Sequence, residues 1–163
     1  MSFPFLVPFT AEVEFTQSIH PRFPNWEKSF VSGTESPLFT VEHRIHESDQ
    51  QLLLSRVQFK AKSEGPPGHV HGGASAGLLD ELMGVVVWNQ NYFCVTQSIQ
   101  VHYGRALPLD IDAWVMTQIK SVHPKTIEVW ATIFDKKKIP YVSSQGIFHQ
   151  LTSEQLKRFK SLA

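Results

Sequence analysis

Two stretches in the N-terminal half alternate apolar and polar residues with the period of a strand. In residues 38–47 (LFTVEHRIHE), Phe39, Val41, His43 and Ile45 fall on one face. Residues 52–60 (LLLSRVQFK) follow after the polar turn 48–51, and the pair predicts a hairpin. The Pro/Gly-rich segment 64–73 (EGPPGHVHGG) then breaks the pattern, and residues 74–88 (ASAGLLDELMGVVVW) predict one long helix. Further strands are predicted at about 93–103, 111–121, 126–135 and 141–151, separated by Pro108, by His123-Pro124 and by the turn at 135–138. The tail, TSEQLKRFK, opens on a capping-box pattern, Thr152 or Ser153 with Gln155 or Glu154, and predicts a short C-terminal helix. Two strands, an apolar helix and four closely connected strands suit an α+β fold, with an antiparallel sheet of about six strands around one long central helix. Such a sheet has two edges, so pairing with a second chain is expected.

Residues 1–37 show no clean period, although a short helix at about 10–19 is expected. Phe and Pro crowd the segment, and exposed aromatics at that density would be adhesive. The segment reads as an arm packed on a domain of residues 38–163.

Composition narrows the class. Of the 163 residues, 42% are apolar and 18% charged, as in an ordinary globular domain. Fifteen basic residues balance fifteen acidic ones, so no net field draws the chain to nucleic acid or to an anionic membrane. An anionic ligand would need a local cluster of cations. No apolar run approaches the roughly 20 residues of a membrane span. The N-terminus lacks a basic region and is interrupted by Pro4 and Pro8, so it reads as neither a signal nor a transit peptide, and a cytoplasmic location is expected. Cys94 is the single cysteine, which excludes an internal disulfide and a Cys-based metal site. His69 and His71 stand two apart without further ligands at fixed spacing, so no metal is expected.

The predicted helix carries the candidate chemistry. At about 100° per residue, Leu78, Leu79, Leu82, Val85 and Val86 gather on one side. Gly73, Gly77, Asp80 and Gly84 gather on the other, with Ala76 beside them. Glycine within a helix costs about 1 kcal/mol relative to alanine, so three on one stripe suggest a close approach, by another helix or by a ligand reaching Asp80. Glu81 lies nearly a quarter turn away and is expected to be partnered or solvated. At the helix start, Gly72 and Gly73 are expected to present free N–H groups at the positive end of the helix dipole, suited to an anion or a developing oxyanion. On the strand after the helix, Thr96, Ser98, Gln100 and His102 are expected to share a face.

The run EGPPGHVHGGASAGLLDELMG (64–84) resembles the signature of hotdog-fold acyl-CoA thioesterases of the PaaI-like branch, and is closest in motif to thioesterase superfamily members four and five. The resemblance extends through VTQSIQVHYGRALPL (95–109) to YVSSQGIFHQL (141–151), covering residues 38–151. It implies a sheet wrapped around the helix, and a homodimer or homotetramer with active sites between protomers. It also implies hydrolysis of a fatty or aromatic acyl-CoA to the free acid and CoA, with no cofactor. Carried over by position, Asp80 matches the catalytic carboxylate and Gly72 the oxyanion donor. His71 fixes that loop, and Thr96 orients water. Gly73, Gly77, Glu81, Gly84 and Arg105 are the substrate-binding candidates. Arg105 is the cation nearest the expected CoA end, with Lys60, Lys62 and Lys136–Lys138 as further candidates for the CoA phosphates. Ala106 stands where the family usually has proline. General base and nucleophile both remain open for Asp80. A non-catalytic acyl-CoA sensor or carrier remains the alternative, with a hotdog dehydratase as a weaker third.

Overall fold

The computed structural model describes residues 2–9 and 14–161. Strand β1 (Gln17–Ile19) pairs with β2 (Phe39–Ile45), which forms the expected hairpin with β3 (Leu52–Phe59). His46 organises the hairpin turn, its Nδ1 accepting the Asp49 N–H at 3.0 Å. Helix α1 (Gly72–Asn89) follows, then β4 (Cys94–Tyr103), β5 (Asp112–Val122), β6 (Thr126–Asp135), β7 (Pro140–Gln150) and α2 (Ser153–Ser161). The strands form a single antiparallel sheet in the order β1-β2-β3-β5-β6-β7-β4. The segment after α1 therefore lies at the far edge, beside β7 alone. Thr152 and Gln155 make the reciprocal capping box of α2, at 2.9 and 3.2 Å.

The sheet has seven strands rather than six. The additional one, β1, occupies the second half of the helix expected at about 10–19, and residues 10–13 lie outside the described residues. The exposed edge of β2 decides the matter. It offers backbone partners to the segment before Pro21, where a short helix would leave most of its end groups unpaired.

The predicted apolar stripe of α1 is fully buried against the sheet: Leu78, Leu79, Leu82, Val85 and Val86 all have no exposed surface. They join Leu53, Val57, Val115, Val129 and Ile133 in the main core. A second, smaller core lies on the opposite face of the sheet, where Val7, Phe15, Leu52, Leu54, Met116 and Phe134 cluster. This explains why the run Leu52–Ser55 is buried at every position: successive side chains enter different cores.

The first 37 residues link the two faces. Across the outer face, Thr132 Oγ1 accepts the Val7 N–H at 2.9 Å and donates to the Phe5 carbonyl at 3.2 Å. Phe5 and Phe9 meet Trp130 and Phe134 edge-on. The chain passes the sheet edge at β1 and returns on the helix side. There Val31 enters the main core, and Phe23 lies edge-on to Trp88. Thr132→Val keeps the side-chain shape and strands the buried Val7 N–H. Urea unfolding of that variant is expected to show a loss of about 1–3 kcal/mol, and an unchanged midpoint would mean that residues 5–7 do not dock there.

Candidate active site

The Pro/Gly loop sets the start of α1. Gly68 adopts φ +73°, a conformation that favours glycine, and its N–H is held by Glu64 Oε1 at 2.7 Å. A Cβ on Gly65 would lie 2.8 Å from the His71 Cα, so the loop folds back only with glycine there. His71 is thereby placed as the N-cap, its own N–H bonded to the Ser63 carbonyl at 2.8 Å. Its Nδ1 accepts the Gly73 N–H at 2.9 Å, which puts the ring proton of neutral His71 on Nε2. The expectation of two free donors is thus halved: Gly73 is capped. Of the two glycines, Gly72 is the one whose N–H has no acceptor among the described residues. Tyr103, at the end of β4, donates its hydroxyl to the Gly72 carbonyl at 2.9 Å. Burial pushes the Tyr103 phenol above its ordinary value.

Asp80 lies two turns further along α1 and is half-buried. Thr96 Oγ1 donates to its Oδ1 at 2.8 Å. Burial raises the Asp80 carboxyl above the usual carboxylate range, and the Thr96 hydrogen bond opposes that rise. Oδ2 has no hydrogen-bond partner among the described residues. Glu81 turns the other way. It accepts Ser29 Oγ at 2.8 and 2.9 Å and also bonds Ser32 Oγ, which ties it to the arm and not to Thr96.

The glycine stripe meets three different surroundings. Gly73 borders an open groove of about 340 Å³ formed with Phe30, Leu38, Phe39, Lys62 and Gly77. A Cβ on Gly77 would be 3.9 Å from Phe30 and Val31 of the arm, and one on Gly84 would be 4.0 Å from Phe148 of β7. Arg105 is exposed beyond the Tyr103 end of β4, where it donates to the Pro140 carbonyl at 3.4 Å. It is not brought to Asp80.

The expected common face of Thr96, Ser98, Gln100 and His102 is not formed. Thr96 pairs with Phe148 and Ser98 with Ile147, so Gln97 is an extra residue in a β-bulge. The bulge reverses the alternation. Thr96 and Tyr103 both reach α1, at Asp80 and Gly72, although they are seven positions apart, an odd step that would otherwise put them on opposite faces. Tyr103 is the site residue that pattern reading misses, because its orientation depends on that bulge. Burial pushes the Cys94 thiol up to about 12, so it is inert as a nucleophile.

Gly72 and Asp80 are eight residues apart, about 12 Å along the helix axis at 1.5 Å per residue. A donor and a carboxylate that far apart cannot both contact one carbonyl group. Within a single chain the two halves of the site stay separate.

Residues 67–140 match the Thioesterase superfamily model. Human acyl-coenzyme A thioesterase THEM5 is 24% identical over 93 residues, which cover 56% of this chain and 38% of THEM5. The chain thus spans well under half the length of that relative. Among solved structures, a thioesterase superfamily protein superposes with a TM-score of 0.63 at 28% identity, over 68% of this chain and 53% of its own. A Streptococcus pneumoniae hypothetical thioesterase, solved with coenzyme A, gives 0.63 at 17% identity, over 69% of this chain and 86% of its own. That bacterial protein has also been solved with single alanine replacements of an aspartate and of a threonine, at the same sequence separation as Asp80 and Thr96. The architecture is the hotdog fold of thioesterases.

A carboxyl whose folded-state pKa exceeds its unfolded value costs stability once ionised. That cost is complete above the folded pKa and vanishes below the unfolded value of about 3.9. Asp80→Asn should therefore raise the melting temperature at neutral pH, and its advantage should disappear as the pH falls below the unfolded value. Thermal unfolding across that range checks this, and a less stable Asn variant at neutral pH would contradict it.

Proposed function

We propose that this chain hydrolyses an acyl-CoA thioester, with each active site shared between two copies. One observation carries the reading: β4 is a ten-residue edge strand that holds Asp80 at its Thr96 end and Gly72 at its Tyr103 end. Val95, Ile99 and Tyr103 are exposed along it, and its outer edge is free to pair. Antiparallel pairing of β4 with β4 of a second copy, about the middle of the strand, lays Thr96 opposite Tyr103. Asp80 of one copy then faces Gly72 of the other, which closes the gap left within one chain.

The chemistry follows from those two groups. The Gly72 N–H, at the positive end of α1, donates a hydrogen bond to the thioester oxygen as its negative charge grows. Asp80 takes a proton from water as it adds to the carbonyl carbon, with Thr96 holding the carboxylate. The tetrahedral adduct collapses, the C–S bond breaks, and the CoA sulfur leaves with the proton from Asp80. A carboxyl with raised proton affinity is the better base for this step. Direct attack by Asp80 on the carbonyl would use the same contacts. The family match, the likeness to THEM5 and the coenzyme A in a structural neighbour all support a thioester of CoA. The largely apolar groove beside Gly73 suits an apolar acyl group, and the motif favours the branch of superfamily members four and five.

Release of free thiol across a panel of acyl-CoA chain lengths tests the activity. Tight binding of acyl-CoA without thiol release would mark a carrier instead. Asp80→Asn is expected to lower kcat severely with the oligomer intact. Gly72→Pro deletes the N–H and adds a ring whose Cβ would meet Tyr103 at an ordinary 3.5 Å; Pro is tolerated at the first helical residue, and His71, at φ −62° and ψ 136°, already has the backbone that precedes proline. Loss of that single donor should cost about 100- to 1,000-fold in kcat. Each variant is inactive alone, but mixed dimers hold one intact site, so co-refolded chains should recover about a quarter of wild-type turnover. No recovery in the mixture would refute the shared site.

A further inference from the structure

A second cavity, of about 350 Å³, lies between the arm and the edge of β2, and neither Asp80, Gly72 nor Thr96 lines it. Its size falls in the range of small-molecule sites, about 300–1,000 Å³. It exists because β1 is short. β1 covers β2 only from His43 to Ile45, which leaves the edge from Phe39 to Glu42 open beneath the arm.

His43 lines this cavity and is only 7% exposed. Its Nδ1 lies 2.9 Å from the hydroxyl of Ser55, which is fully buried and has no other partner among the described residues. Donation by that hydroxyl to Nδ1 satisfies it, and the ring proton of the neutral imidazole then sits on Nε2. Nε2 has no protein partner among the described residues and is reached from the cavity, which leaves it for a ligand or water. Burial, with His20 nearby, lowers the His43 pKa to about 4, so the ring is neutral at physiological pH. The remaining walls are mixed: Ile19, Pro21, Phe39, Val41 and Trp26, itself stacked on His20, supply apolar surface among polar residues. Of the charged lining residues, Arg44 and Lys60 outnumber Glu42 by one. Arg44 has no carboxylate partner among the described residues, and Lys60 is bonded to the Ser36 carbonyl. An acceptor at His43 Nε2, an apolar body against Ile19, Trp26, Phe39 and Val41, and a single negative charge suit this lining.

We propose that this cavity binds a monocarboxylic acid with an apolar body, its carboxylate accepting a hydrogen bond from His43 Nε2. The ligand is of the class that the proposed hydrolysis releases, and only its source rests on that reading. Ser32 lines the cavity and also bonds Glu81, so an occupant touches the segment that holds α1 next to Asp80.

Octanoate and benzoate, titrated into the full chain, test the site through the ring ¹⁵N resonances of His43 and by calorimetry. Saturable movement of the His43 Nε2 signal by either acid supports the proposal, octanoate alone indicating an aliphatic ligand and benzoate alone an aromatic one. His43→Phe should weaken binding by about tenfold or more, and His43→Gln, which keeps a donor, should weaken it less. Should His43→Phe fail to fold, the resonances of the unmodified chain still decide. Unmoved His43 signals with both acids, or unaltered binding by a folded His43→Phe, would overturn the site. Asp80→Asn should bind the acid as the parent chain does, so a failure of thiol release and a failure of this site are told apart.

Discussion

Helix α1 is apolar around most of its circumference. Leu78, Leu79, Leu82, Met83, Val85, Val86 and Val87 have no exposed surface, and a sheet can cover only one side of such a helix. The burial of the remainder, at roughly 1.5–3 kcal/mol per large aliphatic side chain, requires a second cover. The arm supplies it through Phe23, Val31 and the serines that hold Glu81. Of the two acids in mid-helix, the arm satisfies Glu81 and leaves Asp80. The candidate chemistry therefore sits on the side of the helix that neither the main sheet contact nor the arm seals.

Much of this was legible in local pattern. Strand β6 begins and ends at the predicted residues, α1 and its buried stripe follow the 3.6-residue period, and Thr152 with Gln155 makes the box that its spacing announced. The helical wheel set Asp80 and Glu81 about a quarter turn apart, and the two acids reach different partners, Thr96 and the arm. What escaped was set by partners distant in sequence. Ser29 and Ser32 reach Glu81 across about fifty positions, and nothing in their own neighbourhood marks them. β1 forms because β2 has a bare edge, and Gln17-Ser18-Ile19 alone does not announce a strand. The bulge at Gln97 has no compositional sign at all, yet it decides which side chains of β4 meet the helix. The cap on Gly73 was hidden for a different reason: a histidine at the N-cap supplies a ring nitrogen where Ser, Thr, Asp or Asn is the usual signal.

The electrostatics of the site follow from incomplete satisfaction. Asp80 receives one side-chain hydrogen bond while burial withdraws water from it. A fully bonded carboxylate would be a poor proton acceptor, and one left wholly exposed would keep its ordinary affinity. Thr96 holds the group in one orientation with an oxygen still free. Gly72 is the counterpart on the donor side, its carbonyl fixed by Tyr103 and its N–H unspent. Both halves are held rigidly by the same two elements, α1 and β4, at opposite ends.

The docking of residues 5–7 on Thr132 has a consequence for biosynthesis. The contact joins positions 125 apart, so residues 5–7 can reach Thr132 only after β6 has been made. Phe5 and Phe9 lack their partners Trp130 and Phe134 while the five preceding strands are synthesised. Contacts of such long range also form slowly. The outer core therefore closes late, and Phe5 and Phe9 remain adhesive surface until it does.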